Sequence, residues 1–253
     1  AISTLLISGI IVSVIKHEEW LSRGVKNVIG LKRPAPYEVN LQNSEWFIKM
    51  IETIRFWGPT TKDIIISSSG IFVKLCFTVI FSITLLILLY LSERAVNSPW
   101  GRMMRAIRDN EIAAKAMGKN IVKQQLNIFM IGSAIIGFAG AMLVTYDGLF
   151  TPSSYQPLRY TFLIWVMVLL GGSGNNFGSI LGGFAVWFIW IESAPIALFL
   201  INSFTFFLEY NNPIKLHLIE SVPYFRYLMM GVGLLLVMRY KPEGLLPEKK
   251  ISF

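Results

Sequence analysis

From Leu126 to Tyr146 the chain runs through 21 uncharged residues, and from Tyr160 to Ile191 through 32 more. Runs of this kind match the roughly 20 residues that a helix needs to cross the hydrocarbon core of a bilayer. Lipid offers no partners to backbone NH and CO groups, so a segment at that depth is a helix or part of a closed barrel. These runs lack the period-two alternation of barrel strands and read as helices. The expected fold is therefore all-α, a polytopic transmembrane helical bundle. The composition, 54% hydrophobic against 15% charged residues, lies outside the usual range of a soluble domain.

A further hydrophobic run covers 71–91, with Lys74 close enough to its start to snorkel to the headgroups. Between it and the run at 126–146 lies SPWGRMMRAIRDNEIAAKAMGKNI, residues 98–121. Read as one helix, Met103, Ile107, Asn110, Ala114, Met117 and Ile121 recur at spacings of three and four and share a face. Arg102, Arg105, Arg108, Lys115 and Lys119 fall on the other face, and Arg105–Asp109 and Glu111–Lys115 are i,i+4 pairs of opposite sign. The loop 92–125 holds seven Lys or Arg against three acids, which places it on the cytoplasmic side. By physics alone such a helix fits either a groove on a protein or a surface of anionic lipid.

The run 160–191 is interrupted by GGSGNNFGS at 171–179, leaving 11 apolar residues before and 12 after, too few for either half to cross alone. Four glycines and two asparagines favour a broken or re-entrant segment over a straight helix. Irregular backbone at membrane depth survives only in contact with protein or a water-filled cavity. Gly171, Gly172, Gly174, Asn175, Asn176 and Gly178 are accordingly the candidate pathway wall. The alternative is a tight glycine turn that serves packing. Ser133, Gly137, Ala141 and Thr145 recur every fourth residue and predict a helix-packing face. A last span near 224–238 precedes a tail with four basic residues against two acids, again cytoplasmic. The apolar stretch 193–208 is only 16 residues and reads as an interfacial helix or a short span. Residues 16–70 are the least apolar part and read as an extramembrane loop with one short helix around Trp46 to Phe56. The opening 15 residues before Lys16 fall short of a full span, without the basic leader or cleavage pattern of a signal peptide.

The residues also exclude several functions. The formal charge of +8 in so apolar a chain fits cytoplasmic loops and anionic lipid rather than nucleic acid. His17 and His217 have no partners at metal spacing, so no metal site is expected, and the lone Cys76 cannot form an intrachain disulfide. There is no P-loop and no hydrolase serine motif, so neither a cofactor nor catalysis is expected. The proposed spans contain no Asp, Glu or His, which disfavours a proton-coupled carrier.

The stretch GRMMRAIRDNEIAAKAMGKNIVKQQLNIFMIGSAIIGFAGAML resembles the signature of branched-chain amino acid ABC transporter permeases, specifically the M-type integral membrane subunit. VMVLLGGSGNNFGSILGG at 166–183 and RYLMMGVGLLLVMRYKPEGLLPE at 226–248 are similar to that family's glycine-rich segment and last span. The resemblance implies a single permease transmembrane domain over 1–253, with further spans upstream. Its partners would be a second permease subunit, two ATP-binding cassette subunits, a periplasmic or extracellular solute-binding protein and membrane lipid. The host membrane would be a bacterial or archaeal plasma membrane, the inner one in a Gram-negative cell. It also implies an ATPase-coupling element made of Gly101, Arg102, Met103, Arg105, Ala106, Ile107, Arg108, Asp109, Asn110, Glu111, Ala114, Met117 and Gly118. Met103, Ile107, Ala114 and Met117 would then be buried in the ATPase groove. Urea or short amides are the nearest substrate alternative, and an ion-coupled carrier is the alternative class.

Overall fold

A computed structural model describes residues 2–22, 28–54, 61–151, 157–206 and 212–248. These residues are overwhelmingly helical and divide into two compact units, one of residues 11–154 and one of 1–10 with 155–253.

The first unit begins with the apolar helix α1 (Ile2–His17), shared between the units, and the single turn α2 (Glu19–Ser22). A short strand β1 (Val28–Ile29) leads into α3 (Glu38–Gln42) and α4 (Glu45–Ile54), the short helix expected near Trp46. Arg55 and Phe56, at the end of that expected helix, lie outside the described residues. Helix α5 (Lys62–Asn97) follows, then α6 (Pro99–Asp109), α7 (Glu111–Ala116), α8 (Ile121–Asp147) and β2 (Leu149–Phe150). The two strands pair antiparallel, Val28 opposite Phe150 and Ile29 opposite Leu149. Gly148 makes this return possible by capping α8 with a left-handed φ of 64°.

Helix α5 corrects one expectation. It starts at Lys62 rather than Gly70 or Ile71, and its 36 residues extend to about 54 Å, well beyond the hydrocarbon thickness. Ser67, Ser68 and Ser69 read as loop composition, but Ser69 is fully buried and its hydroxyl donates to the Ile66 carbonyl at 2.7 Å while accepting from Gln42 Nε2 at 3.0 Å. Such back-bonding lets a serine persist inside a helix. The first turns of α5 are therefore packed against α3 and α4, around Leu41, Phe47, Ile51, Val73 and Phe77. Arg33 seals this cluster. Its side chain is only 5% exposed, pairs with Glu38 at 2.7 Å and lies over the Tyr37 ring at 3.9 Å.

In the second unit α9 (Pro157–Gly171), α10 (Asn176–Phe204) and α12 (Val222–Tyr240) pack together, with α11 (Pro213–Glu220) leading into α12. Leu163, Val166 and Leu170 of α9, Val186 and Trp190 of α10, and Met230 of α12 form the core. The break falls at 172–175, inside the glycine-rich segment, but the second half is not short. Helix α10 continues through Glu192 and Pro195 to Phe204 and absorbs most of the stretch that sequence alone separates as 193–208. Phe207 and Leu208 lie outside the described residues. A charge and a proline read as a boundary, yet membrane helices tolerate both when neighbouring elements re-satisfy the backbone. Helix α10 thus reaches full spanning length by itself.

Among the described residues four helices, α5, α8, α10 and α12, are long and apolar enough to cross a membrane, and the chain is a multi-pass, all-α membrane protein. None of the most apolar stretch of α8 is buried by the described residues, and Gly132, Gly137 and Gly140 face open space. Within its own unit, α8 leaves Ser133, Gly137 and Ala141 of the small-residue stripe exposed, while Thr145 is half-buried.

Candidate functional site

The charged segment is two helices rather than one. Asn110 leaves the helical region at φ −152° and ψ 97°, and its side-chain oxygen accepts from the Ala113 amide at 2.9 Å, so it ends α6 and caps α7. This break resets the helical wheel. Of the face expected to enter a partner's groove, Ile107 and Ala114 are instead buried within the chain, 5% and 8% exposed, in a cluster with Ile121 that Met103 and Met104 border. Met117 stays 80% exposed, joined by Ile112 at 84% and Val122 at 75%. Ile112 was missed because a continuous wheel assigns it to the polar side. The i,i+4 pair Arg105–Asp109 is replaced by Arg108–Asp109 at 3.1 Å. Ala106, Asp109, Glu111 and Gly118 are exposed, and Gly118 turns the chain toward α8 with φ 75°.

The freed arginines do something else. Arg102 donates to the Asn97 carbonyl and Arg105 to the Val96 carbonyl, each at 3.3 Å, while Ser98 caps α6 through the Gly101 amide at 3.2 Å. Cations at a helix C-terminus satisfy orphan carbonyls and complement the helix dipole. Gly101 is buried at this corner, where an added methyl would overlap the Val96 carbonyl oxygen. Beside Gly101, Trp100 Nε1 donates to Gln124 Oε1 at 3.2 Å, and at the far end Asn120 caps α8 through the Lys123 amide at 3.0 Å. Helices α6 and α7 are thus fastened to the ends of two membrane helices.

The glycine-rich segment also differs from a bare turn. Asn175 caps α10, its Oδ1 accepting from the Phe177 and Gly178 amides at 3.0 and 3.3 Å, and its Nδ2 donates to the Pro247 carbonyl at 3.3 Å. The tail after α12 reaches the same place. Leu245 NH donates to the Leu170 carbonyl at 2.9 Å and Leu246 NH to the Gly171 carbonyl at 3.0 Å, so the tail satisfies the last carbonyls of α9. Gly172 (φ 114°) lies against the Leu246 and Glu243 carbonyls, and a methyl on Gly174 (φ 96°) would come within 2.6 Å of Glu248 Oε2. Gly171 and Gly178 face each other with Gly182 alongside, and a methyl on any of them would overlap backbone of the opposing helix. Gly171, Gly172, Gly174 and Asn175 clasp the tail, while Gly178 forms the close crossing with Gly171 and Asn176 opens α10, so the segment lies at the ends of two helices rather than midway along one. No sequence periodicity links residues 171–178 to 243–248, so this partnership was not legible.

Two charges lie within membrane helices, and of these Glu192 was missed. Glu192 lies near the middle of α10, which corrects the expectation of spans free of Asp and Glu. Arg226, one turn into α12, stacks over Trp190 with its guanidinium carbon 5.5 Å from the ring centroid. Its buried Nε has no hydrogen-bond partner among the described residues.

The family model described as the branched-chain amino acid transport system permease component matches residues 46–238. The probable branched-chain amino acid transport permease protein LivM of Methanocaldococcus jannaschii is 34% identical over 197 residues, which cover 78% of this chain and 53% of the relative. The high-affinity branched-chain amino acid transport system permease proteins LivM of Escherichia coli and Salmonella typhimurium are each 27% identical over 175 residues, 69% of this chain and 35% of each relative. The chain thus spans about half the length of the archaeal relative and about a third of the two bacterial ones. No solved structure matches the chain.

Proposed function

The chain belongs to the branched-chain amino acid transport permease family, and from that premise we propose that it forms part of the transmembrane pathway of an ATP-driven importer of branched-chain amino acids. The observation that carries the mechanism is the construction of 98–121. Helices α6 and α7 are anchored to α5 by Arg102, Arg105 and Gly101 and to α8 by Ile121 and Gln124, while Ile112 and Met117 are left exposed outside the apolar helices. An apolar pair held on a rigid, charged support is an anchor for a partner's groove.

The proposed partner at this anchor is an ATP-binding subunit. Ile112 and Met117 enter its groove, and Asp109 and Glu111 set orientation and discrimination at the rim. When two such subunits close on ATP, the anchored element moves as a body and shifts α5 and α8, exchanging outward for inward access. The chain supplies the pathway and the lever; ATP hydrolysis belongs to the partner. A second permease subunit would cover the exposed small-residue stripe of α8, and an external solute-binding protein would deliver the amino acid. The setting is a bacterial or archaeal plasma membrane, with 92–125 and the tail cytoplasmic. The glycine-rich segment, on this reading, is a tail clasp and a close helix crossing that holds the pathway helices in register.

The test is reconstitution of the full-length protein with its ATP-binding subunits, comparing wild type with Ile112→Glu combined with Met117→Glu. Loss of subunit recovery and of ATP-driven leucine uptake, with the permease still folded, is expected. Full recovery of both would refute the anchor.

A further inference from the structure

We propose that the groove between α6 and the ends of the two membrane helices beside it is a binding site for one anionic phospholipid. A cavity of about 380 Å³ opens here. Its walls are apolar, built from Val96 at the end of α5, Met104 and Ile107 on α6, and Ile128 in the second turn of α8, and its rim carries Arg105 and Arg108.

Position, shape and charge each select this ligand. The groove joins the last turn of one spanning helix to the first turns of another, so it lies where hydrocarbon gives way to headgroups. An acyl chain needs an apolar slot that continues into the bilayer, and Val96 and Ile128 begin that slot. A headgroup phosphate needs paired cations at the edge, and the two arginines flank the mouth one helical turn apart. Arg105 is oriented by its bond to the Val96 carbonyl, which uses one of its five NH donors. Arg108 pairs with Asp109 at 3.1 Å, but both side chains are more than half exposed, so the pair is weak and a phosphate displaces it readily. Gln125, also on the rim, adds a neutral hydrogen-bonding group. A helix from a protein partner is the less suited occupant, because the exposed apolar anchors Ile112 and Met117 sit on α7 and do not line this groove. A bound lipid would fill the groove beside the joint of α6 with α5 and add to its stiffness. The inference requires only that the chain spans a membrane, and so it stands or falls separately from the transport reading.

The experiment uses the full-length permease without ATP-binding subunits, equilibrated with equal amounts of phosphatidylglycerol and phosphatidylcholine of the same acyl chains. Native mass spectrometry reads the retained lipid. Wild type is expected to keep one phosphatidylglycerol in preference. Each arginine near a membrane surface contributes about 1 kcal/mol toward acidic lipid, so Arg105→Gln with Arg108→Gln should lower the preference about thirtyfold. Gln125→Glu should lower it by charge alone, and Ile128→Trp by filling the slot, while Lys119→Gln, an equal charge change outside the groove, should leave it in place. Monodispersity and thermal unfolding of each variant separate loss of the site from loss of the fold. Equal retention of both lipids, an unchanged preference in the double arginine variant, or displacement by free inorganic phosphate would each overturn the proposal, the last by pointing to a small-anion site. Protection of the groove only in the presence of a protein partner would overturn it as well.

Discussion

Replacing Gly172 with alanine should open the clasp between the α9–α10 turn and the C-terminal tail. The added methyl meets two obstacles. At φ 114° a side chain is strained by about 1 to 3 kcal/mol, and the methyl overlaps the Leu246 carbonyl oxygen, which is backbone and cannot rotate away. The tail therefore gives, and with it go the Leu245-to-Leu170 and Leu246-to-Gly171 hydrogen bonds, each worth about 0.5 to 1.5 kcal/mol net. Whether strain is retained or bonds are lost, the clasp is weakened by roughly 1 to 3 kcal/mol, which raises its open fraction about 5- to 150-fold. Amide hydrogen exchange of Leu245 and Leu246 in the full-length protein reads this directly. Gly183→Ala is the matched control, since a methyl there meets no atom within 4 Å and the position lies inside α10, where alanine is preferred by about 1 kcal/mol. Unchanged protection of Leu245 and Leu246 in Gly172→Ala would refute the clasp as the function of these glycines.

Three further outcomes are expected. Glu38 loses some solvation by burial, which raises its pKa, but its backbone hydrogen bond and Arg33 outweigh this and hold it below its ordinary 4.5. A depressed carboxylate stabilises the fold above that value and ceases to as pH falls through the folded one, so Trp46 fluorescence should report loosening of the Arg33 cluster below about pH 4.5, a dependence that Arg33→Met weakens while the backbone hydrogen bond remains. Asn110→Ala removes the α7 cap and should cost about 1 kcal/mol of local stability, seen as faster exchange of the Ala113 and Ala114 amides. Gly101→Ala, which cannot seat α6 on α5, should leave ATP-binding subunits bound through Ile112 and Met117 but separate ATP hydrolysis from uptake in proteoliposomes.

How far the sequence carries the fold depends on which force sets each element. Spanning helices are set by apolar length, a local property, and the runs behind α5, α8 and α12 are readable at once. Their ends are less so. The start of α5 is fixed by Leu41, Phe47 and Gln42 packing onto it, contacts with no local signature. Helix α10 runs on through Glu192 and Pro195 to Phe204, whereas a residue-by-residue reading stops at the charge. Asn110 is the instructive case at the site. Its spacing fits the apolar face of one long helix, and only its side-chain bond to Ala113 reveals a cap that divides the segment and moves Ile107 and Ala114 inward. The polar segment between two spans was legible from charge; the cap at Asn110 and the exposure of Ile112 were not.

On the proposed coupling role, the same residues bear on how an element so polar would move a membrane helix. Transmission of force requires that α6 not slide or hinge against α5, and flexible ion pairs at a water-exposed surface would not prevent that. The joint instead uses backbone. Arg102 and Arg105 bind carbonyls at the end of α5, Ser98 turns the chain in a single residue, and Gly101 admits α6 to a distance that no larger residue permits. The Gly101–Val96 contact is backbone against backbone and has no rotamer to change, so on the proposed role a displacement of α6 is passed to α5. At the opposite end, burial of Ile107, Ala114 and Ile121 ties α7 to α8 through packing, which resists compression but yields to rotation. The two ends therefore respond differently to one push: α5 translates with the lever, while α8 is left freer to turn. That asymmetry makes unequal motion of α5 and α8, rather than a rigid shift of both, the expected structural response to ATP-driven closure.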